Sequence, residues 1–106
     1  MNHGLADKTV TAIQSVLAAF PQVEKAVLYG SRAKGNYKRG SDIDLTLIGA
    51  DLDDRLRGQI EWALDDLLLP YKIDLSLFSQ LDHVALVDHI RHVGLSLYER
   101  SPVGAA

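Results

Sequence analysis

Apolar residues near the start of the chain recur at helical spacing. Val10, Ile13, Leu17 and Phe20 fall on one face of a helix that Asp7 is placed to cap and Pro21 to end. A short apolar run over 26–29 then reads as a buried strand, broken at Gly30-Ser31. From Ser31 a helical turn follows that Gly35 closes, and residues 36–40 form a polar, basic loop. Strict alternation over 42–48 predicts a second strand, stopped by Gly49. Asp51 or Asp53 begins a second long helix with Leu52, Leu56, Ile60, Ala63, Leu64 and Leu67 on its apolar stripe, and Trp62 on the flank. Pro70 closes that element, and residues 72–77 alternate as a third strand. A last helix opens near Ser79 or Asp82 and carries Leu86, Ile90, Val93 and Leu97. Its phase survives Gly94, so the helix is expected to run towards Tyr98, with Gly94 as its C-terminal cap the competing reading.

Alternating helices and strands predict an α/β layer structure, a small mixed sheet of about three strands backed by helices. The chain of 106 residues is expected to form a single domain, 1–106, with residues 1–6 and 101–106 frayed. No repeat or linker interrupts it. No apolar run approaches the roughly 20 residues of a membrane span, and no signal-peptide pattern opens the chain, so a cytoplasmic location is the expectation. Cysteine is absent, which excludes a disulfide framework or a thiolate metal site. A net charge of −3 argues against a broad nucleic-acid-binding surface, and no direct nucleic-acid binding is expected.

Chemistry concentrates at two places. At Gly30-Ser31, a glycine turn feeds a helix start whose free N–H groups stand beside a hydroxyl, a seat for phosphate. Ten residues after Ser31 come Asp42 and then Asp44, which share one face of the second strand while Ile43, Leu45 and Leu47 take the other. Like charges so close repel, and a divalent cation is the usual compensation. Asp74 in the third strand sits on the polar face; if that strand lies beside the second, three carboxylates meet and a two-metal site becomes plausible. Arg32 and Lys34 fall near where phosphates would lie, and Arg32 and Ser41 are the further candidate nucleotide contacts.

Each feature also has a plain structural reading. Gly30-Ser31 alone is a turn, Asp42 alone a strand-end residue, Asp74 alone a solvated one. Lys38 and Arg39 read as loop charges. His83, His89 and His92 show no metal-ligand spacing and read as ordinary helix residues; Trp62 and Tyr98 read as core-edge positions, with a protein interface as the alternative. The combination, not any member, points to nucleotide chemistry.

Gly30-Ser31, ten residues, then Asp42-x-Asp44 resembles the GSx10DxD signature of the DNA polymerase β-like nucleotidyltransferases. More narrowly, GSRAKGNYKRGSDIDL, the later LPYKIDLSLF and the ending HIRHVGLSLYER resemble the small bacterial MNT proteins, or minimal nucleotidyltransferases, over most of the chain from Val10 to Arg100. The resemblance implies transfer of a nucleoside monophosphate, AMP from ATP foremost, to a hydroxyl. It implies that Gly30 and Ser31 hold the triphosphate, that Asp42 and Asp44 coordinate Mg²⁺, two ions in all, and that Asp74 completes the second metal site and helps deprotonate the acceptor. It further implies a HEPN-family helical protein as partner in a hetero-oligomer, a toxin whose tyrosine receives AMP from its antitoxin. A non-catalytic antitoxin that neutralises by covering its partner is the alternative. Only about 30 residues follow Asp74, so the cleft is expected to be shallow, with the acceptor pocket completed by another polypeptide.

Overall fold

The computed structural model describes residues 3–38 and 41–100. The expected frayed tail 101–106, residues 1–2 of the expected frayed start, and Arg39 and Gly40 of the basic loop lie outside these described residues. Among the described residues, four α-helices and four strands follow in order: α1 (Asp7–Ala18), β1 (Lys25–Tyr29), α2 (Ser31–Lys34), β2 (Ile43–Ile48), α3 (Asp54–Asp65), β3 (Ile73–Leu77), α4 (Val84–Val93) and β4 (Leu95–Glu99). A 3₁₀ turn over Phe78–Gln80 leads out of β3.

The strands form one mixed sheet in the order β3-β2-β1-β4. β1 runs antiparallel to both β2 and β4, and β2 runs parallel to β3. A parallel pair needs a crossover, which α3 supplies between β2 and β3. Alternation then sorts the side chains. Ala26 and Leu28 of β1, Ile43, Leu45 and Leu47 of β2, and Leu75 and Leu77 of β3 all join the principal core. Ile13 and Leu17 of α1 and Ile60 and Leu64 of α3 close over that face, each essentially without exposure. A second, smaller cluster on the opposite face joins Val27 and Tyr29 to Ile90 of α4.

Local chemistry explains the helix starts. The Asp53 carboxylate accepts from the Leu56 amide at 2.8 Å, so Asp53 rather than Asp51 caps α3. Asp7 lies inside the first turn of α1, behind an Ala6 N-cap, where its charge complements the helix dipole instead of capping. α4 opens next to Asp82, the second of the two expected starts: His83 caps it, Nδ1 accepting from the Leu86 amide at 3.2 Å.

Two expectations give way to tertiary structure. The last helix stops at Val93, and residues 95–99 form a fourth strand. Gly94 makes the break: it is extended (ψ 141°), and a Cβ there would collide with the Ile90 carbonyl and with Val27 Cγ1. Leu97 fitted the helical phase, but Leu95 and Leu97 also alternate about Ser96, and the free edge of β1 recruits them. A bulge between Ala26 and Val27 absorbs the extra residue. Near the start of the chain, His3 and Leu5 are buried, not frayed. Among the described residues, no helix is long and apolar enough to cross a membrane.

Candidate functional site

The face of the sheet opposite α1 and α3 carries the polar members of the strands. Tyr29 of β1 pairs with Asp44 of β2, and Asp44 pairs in turn with Asp74 of β3. Paired residues on adjacent strands point to the same side, about 5 Å apart at the backbone. Three neighbouring strands therefore line up a phenol and two carboxylates. Asp42, just ahead of β2, acts on Asp44 as a further like charge.

Asp44 is the strained member of the set. Burial, then the charges of Asp74 and Asp42, push its carboxyl above the usual carboxylate range, while His89 pulls it back. Tyr29 responds likewise: burial raises its hydroxyl, the charges of Asp44 and Asp74 add to the rise, and a hydrogen bond with Ser76 opposes it. Asp42 and Asp74 are exposed and Asp44 half-buried, so the acids span the boundary between protein and water.

The turn after β1 stands against this group. Gly30 has φ 76° and ψ −152°, a left-sided conformation that L side chains rarely adopt. A Cβ on Gly30 would also run into the Asp44 Oδ2 atom. Its backbone angles require glycine, and a Cβ would in addition push the Asp44 carboxylate aside. As the N-cap of α2 it offers no side chain to the first amides of that helix, which stay open around Ser31. Gly35 closes α2 with φ 83°, as expected.

Not every candidate reaches this face. Arg32 is only 2% exposed, and its guanidinium turns inward, donating to the carbonyls of Ser41 and His3. Ser41 brings Asp42 to the site through its backbone, while its hydroxyl accepts from the Lys38 amide at 2.8 Å. Lys34 is exposed. Conversely, sequence periodicity overlooked His89. Its Nε2 accepts from the Gly30 amide at 3.0 Å, and its ring meets Tyr29 edge-on, 6.3 Å between centroids. Nothing in helical spacing distinguishes His89 from His92; only the packing of α4 on β1 selects it.

Carboxylate oxygens are the ligands that a hard cation such as Mg²⁺ prefers, and the mutual repulsion at Asp44 is what such a cation relieves. Donor chemistry and electrostatics therefore fit a metal. Among the described residues, however, no three His, Cys, Asp or Glu side chains form a ready-made chelating group. The site is also an open face, and a cavity of about 580 Å³ lies away from it, between α1 and β4, lined by Gln14, Ser15, Leu97 and Tyr98.

A family model described as polymerase beta nucleotidyltransferase matches residues 11–103. The chain belongs to that family. Its solved structural neighbours include a toxin–antitoxin complex with AMP-PNP, 26% identical, which covers 87% of this chain and 74% of that chain at a TM-score of 0.69. A MntA–HepT toxin–antitoxin complex is 22% identical, covering 89% of this nucleotidyltransferase and 73% of that chain at a TM-score of 0.66. A tri-AMPylated Shewanella oneidensis HEPN toxin in complex with MNT antitoxin is also 22% identical, covering 87% and 71% at a TM-score of 0.65. The latter two likenesses establish the nucleotidyltransferase fold. A search of curated proteins found no match.

Proposed function

We propose that this nucleotidyltransferase is the catalytic antitoxin of a HEPN/MNT-type pair, moving AMP from ATP to a tyrosine hydroxyl of a HEPN-family helical partner in the cytoplasm. The observation that carries the reading is the register of Asp44 against Asp74, with the Gly30 turn pressed on Asp44. The AMP-PNP in one similar toxin–antitoxin complex and the tri-AMPylated toxin in another support the choice of nucleotide and partner.

In this reading the open amides and the hydroxyl at Ser31 hold the triphosphate, and Gly30 lets its phosphates approach the backbone closely. Asp42, Asp44 and Asp74 would hold the Mg²⁺ ions, which when bound neutralise phosphate charge and lower the pKa of the attacking hydroxyl. The acceptor oxygen forms a bond to the α-phosphorus, the bond to the β-phosphate oxygen breaks, and pyrophosphate leaves. Asp74, which is exposed, takes the acceptor's proton in this reading. His89 braces Gly30 from behind. Because the carboxylate face is open, the partner supplies the rest of the acceptor pocket.

The test pairs two measurements on the partner after incubation with ATP and Mg²⁺: its mass and its residual ribonuclease activity. The wild-type protein adds AMP and silences the partner. Asp74→Asn still binds but adds no mass, and neutralisation falls with labelling. A mutant that adds no mass yet silences the partner as well as wild type would establish neutralisation by covering. Damage would then follow changes at exposed apolar positions such as Trp62, which is 75% exposed.

A further inference from the structure

We propose that Arg32 is a positioning residue, a buried strut that holds the phosphate turn, the arm bearing Asp42 and the approach to β3 in one geometry. The proposal rests on the transfer reading of the site and assigns Arg32 a role other than phosphate contact. Its guanidinium makes a fork: Nε and Nη2 both donate to the Ser41 carbonyl, at 3.1 and 3.0 Å, and Nη1 donates to the His3 carbonyl at 2.9 Å. Tyr71 and Tyr37 lie against it, their ring centroids 4.8 and 5.1 Å from Cζ. Besides the His3 carbonyl, which ties in the start of the chain, the contacts fall close to site residues in sequence. Arg32 follows Ser31, Ser41 precedes Asp42, and Tyr71 stands three residues before Asp74. One side chain thereby links the three segments that carry the candidate chemistry.

Desolvating a guanidinium is costly, and among the described residues no carboxylate lies in ion-pair range of it. Carbonyl dipoles and ring faces offset that cost only while both the fork and the stacking are kept. Lysine has the charge but neither the plane nor the fork. The Ile43 amide, which donates to the Lys72 carbonyl at 2.8 Å, reports on the junction that the strut fastens.

The experiment compares Arg32→Lys and Arg32→Met with wild type well below their unfolding temperatures. It reads ATP–Mg²⁺ affinity and, without any ligand, hydrogen exchange at the Ile43 amide. Both variants are expected to bind about tenfold more weakly, on the order of one lost charge-assisted hydrogen bond. Both should exchange Ile43 about tenfold faster, while the Ala26 amide in mid-sheet keeps its rate. Wild-type affinity in Arg32→Lys, with loss only in Arg32→Met, would mean that the charge contacts phosphate and would overturn the proposal. So would unchanged exchange in both. If Arg32→Met does not fold, Tyr71→Leu, which removes one stacked ring and no hydrogen bond to the fork, should weaken binding about threefold with the same change at Ile43. If wild type itself does not respond to ATP–Mg²⁺, the functional reading fails, and the ligand-free exchange still decides the strut.

Discussion

The two faces of the sheet are made by the same strands, yet they have opposite fates. On one, Leu28, Ile43, Leu45 and Leu47 disappear beneath α1 and α3. On the other, Asp44, Asp74 and the Gly30 turn remain in reach of water, with α4 covering only the Val27, Tyr29 and Ile48 side. The closed face contributes apolar burial, at about 25 cal/mol per Å² removed from water. The open face spends part of that stability by holding like charges together and Gly30 in a rare conformation. The difference teaches that alternation lets one short strand, β2, serve both ends: Ile43 and Leu45, which anchor it, flank Asp44, which it displays.

The sharpest break of this comparison uses neighbours in sequence. Leu45→Ala, on the closed face, should cost about 2–5 kcal/mol and lower the melting temperature strongly, read by calorimetry. Asp44→Asn, one residue away, should abolish transfer to the partner while the apo protein stays folded. If the two substitutions had the same profile, the faces would not be functionally distinct.

Gly30→Val probes where the faces meet the turn. The positive φ and the collision with the Asp44 carboxylate should lower stability by about 1–3 kcal/mol and weaken ATP–Mg²⁺ binding at least tenfold, on the order of one lost contact. Titration calorimetry giving wild-type affinity would remove the turn from the site.

The smallest effect is a matter of pH. Folding raises the Asp44 pKa, so the folded state holds that proton more tightly than the unfolded state. Wild type therefore loses stability as pH rises from the ordinary carboxylate value of 3.8 through the raised one. Asn does not titrate. Asp44→Asn should thus be the more stable apo protein at neutral pH, with the advantage shrinking as pH falls towards 3.8, as denaturant midpoints at several pH values would show. A constant difference across that range would mean that folding does not raise the Asp44 pKa.

The local pattern of residues determined much of this protein. Periodicity located α1, α3 and the first three strands, Asp53 was one of two caps offered for its helix, and Gly30-Ser31 with Asp42, Asp44 and Asp74 stood out as the candidate site, because these depend on interactions within a few residues or on strict alternation. Tertiary structure decided the rest. Leu95 and Leu97 satisfy both a helical and a strand period, so only the unpaired edge of β1 could choose between them. Arg32 looked like a phosphate ligand by its place after Ser31, but carbonyls 9 and 29 residues away in sequence claim its guanidinium. His89 enters the site from 59 residues beyond Gly30. No local rule reaches across such separations; the partners of a long side chain are set by how the helices pack on the sheet.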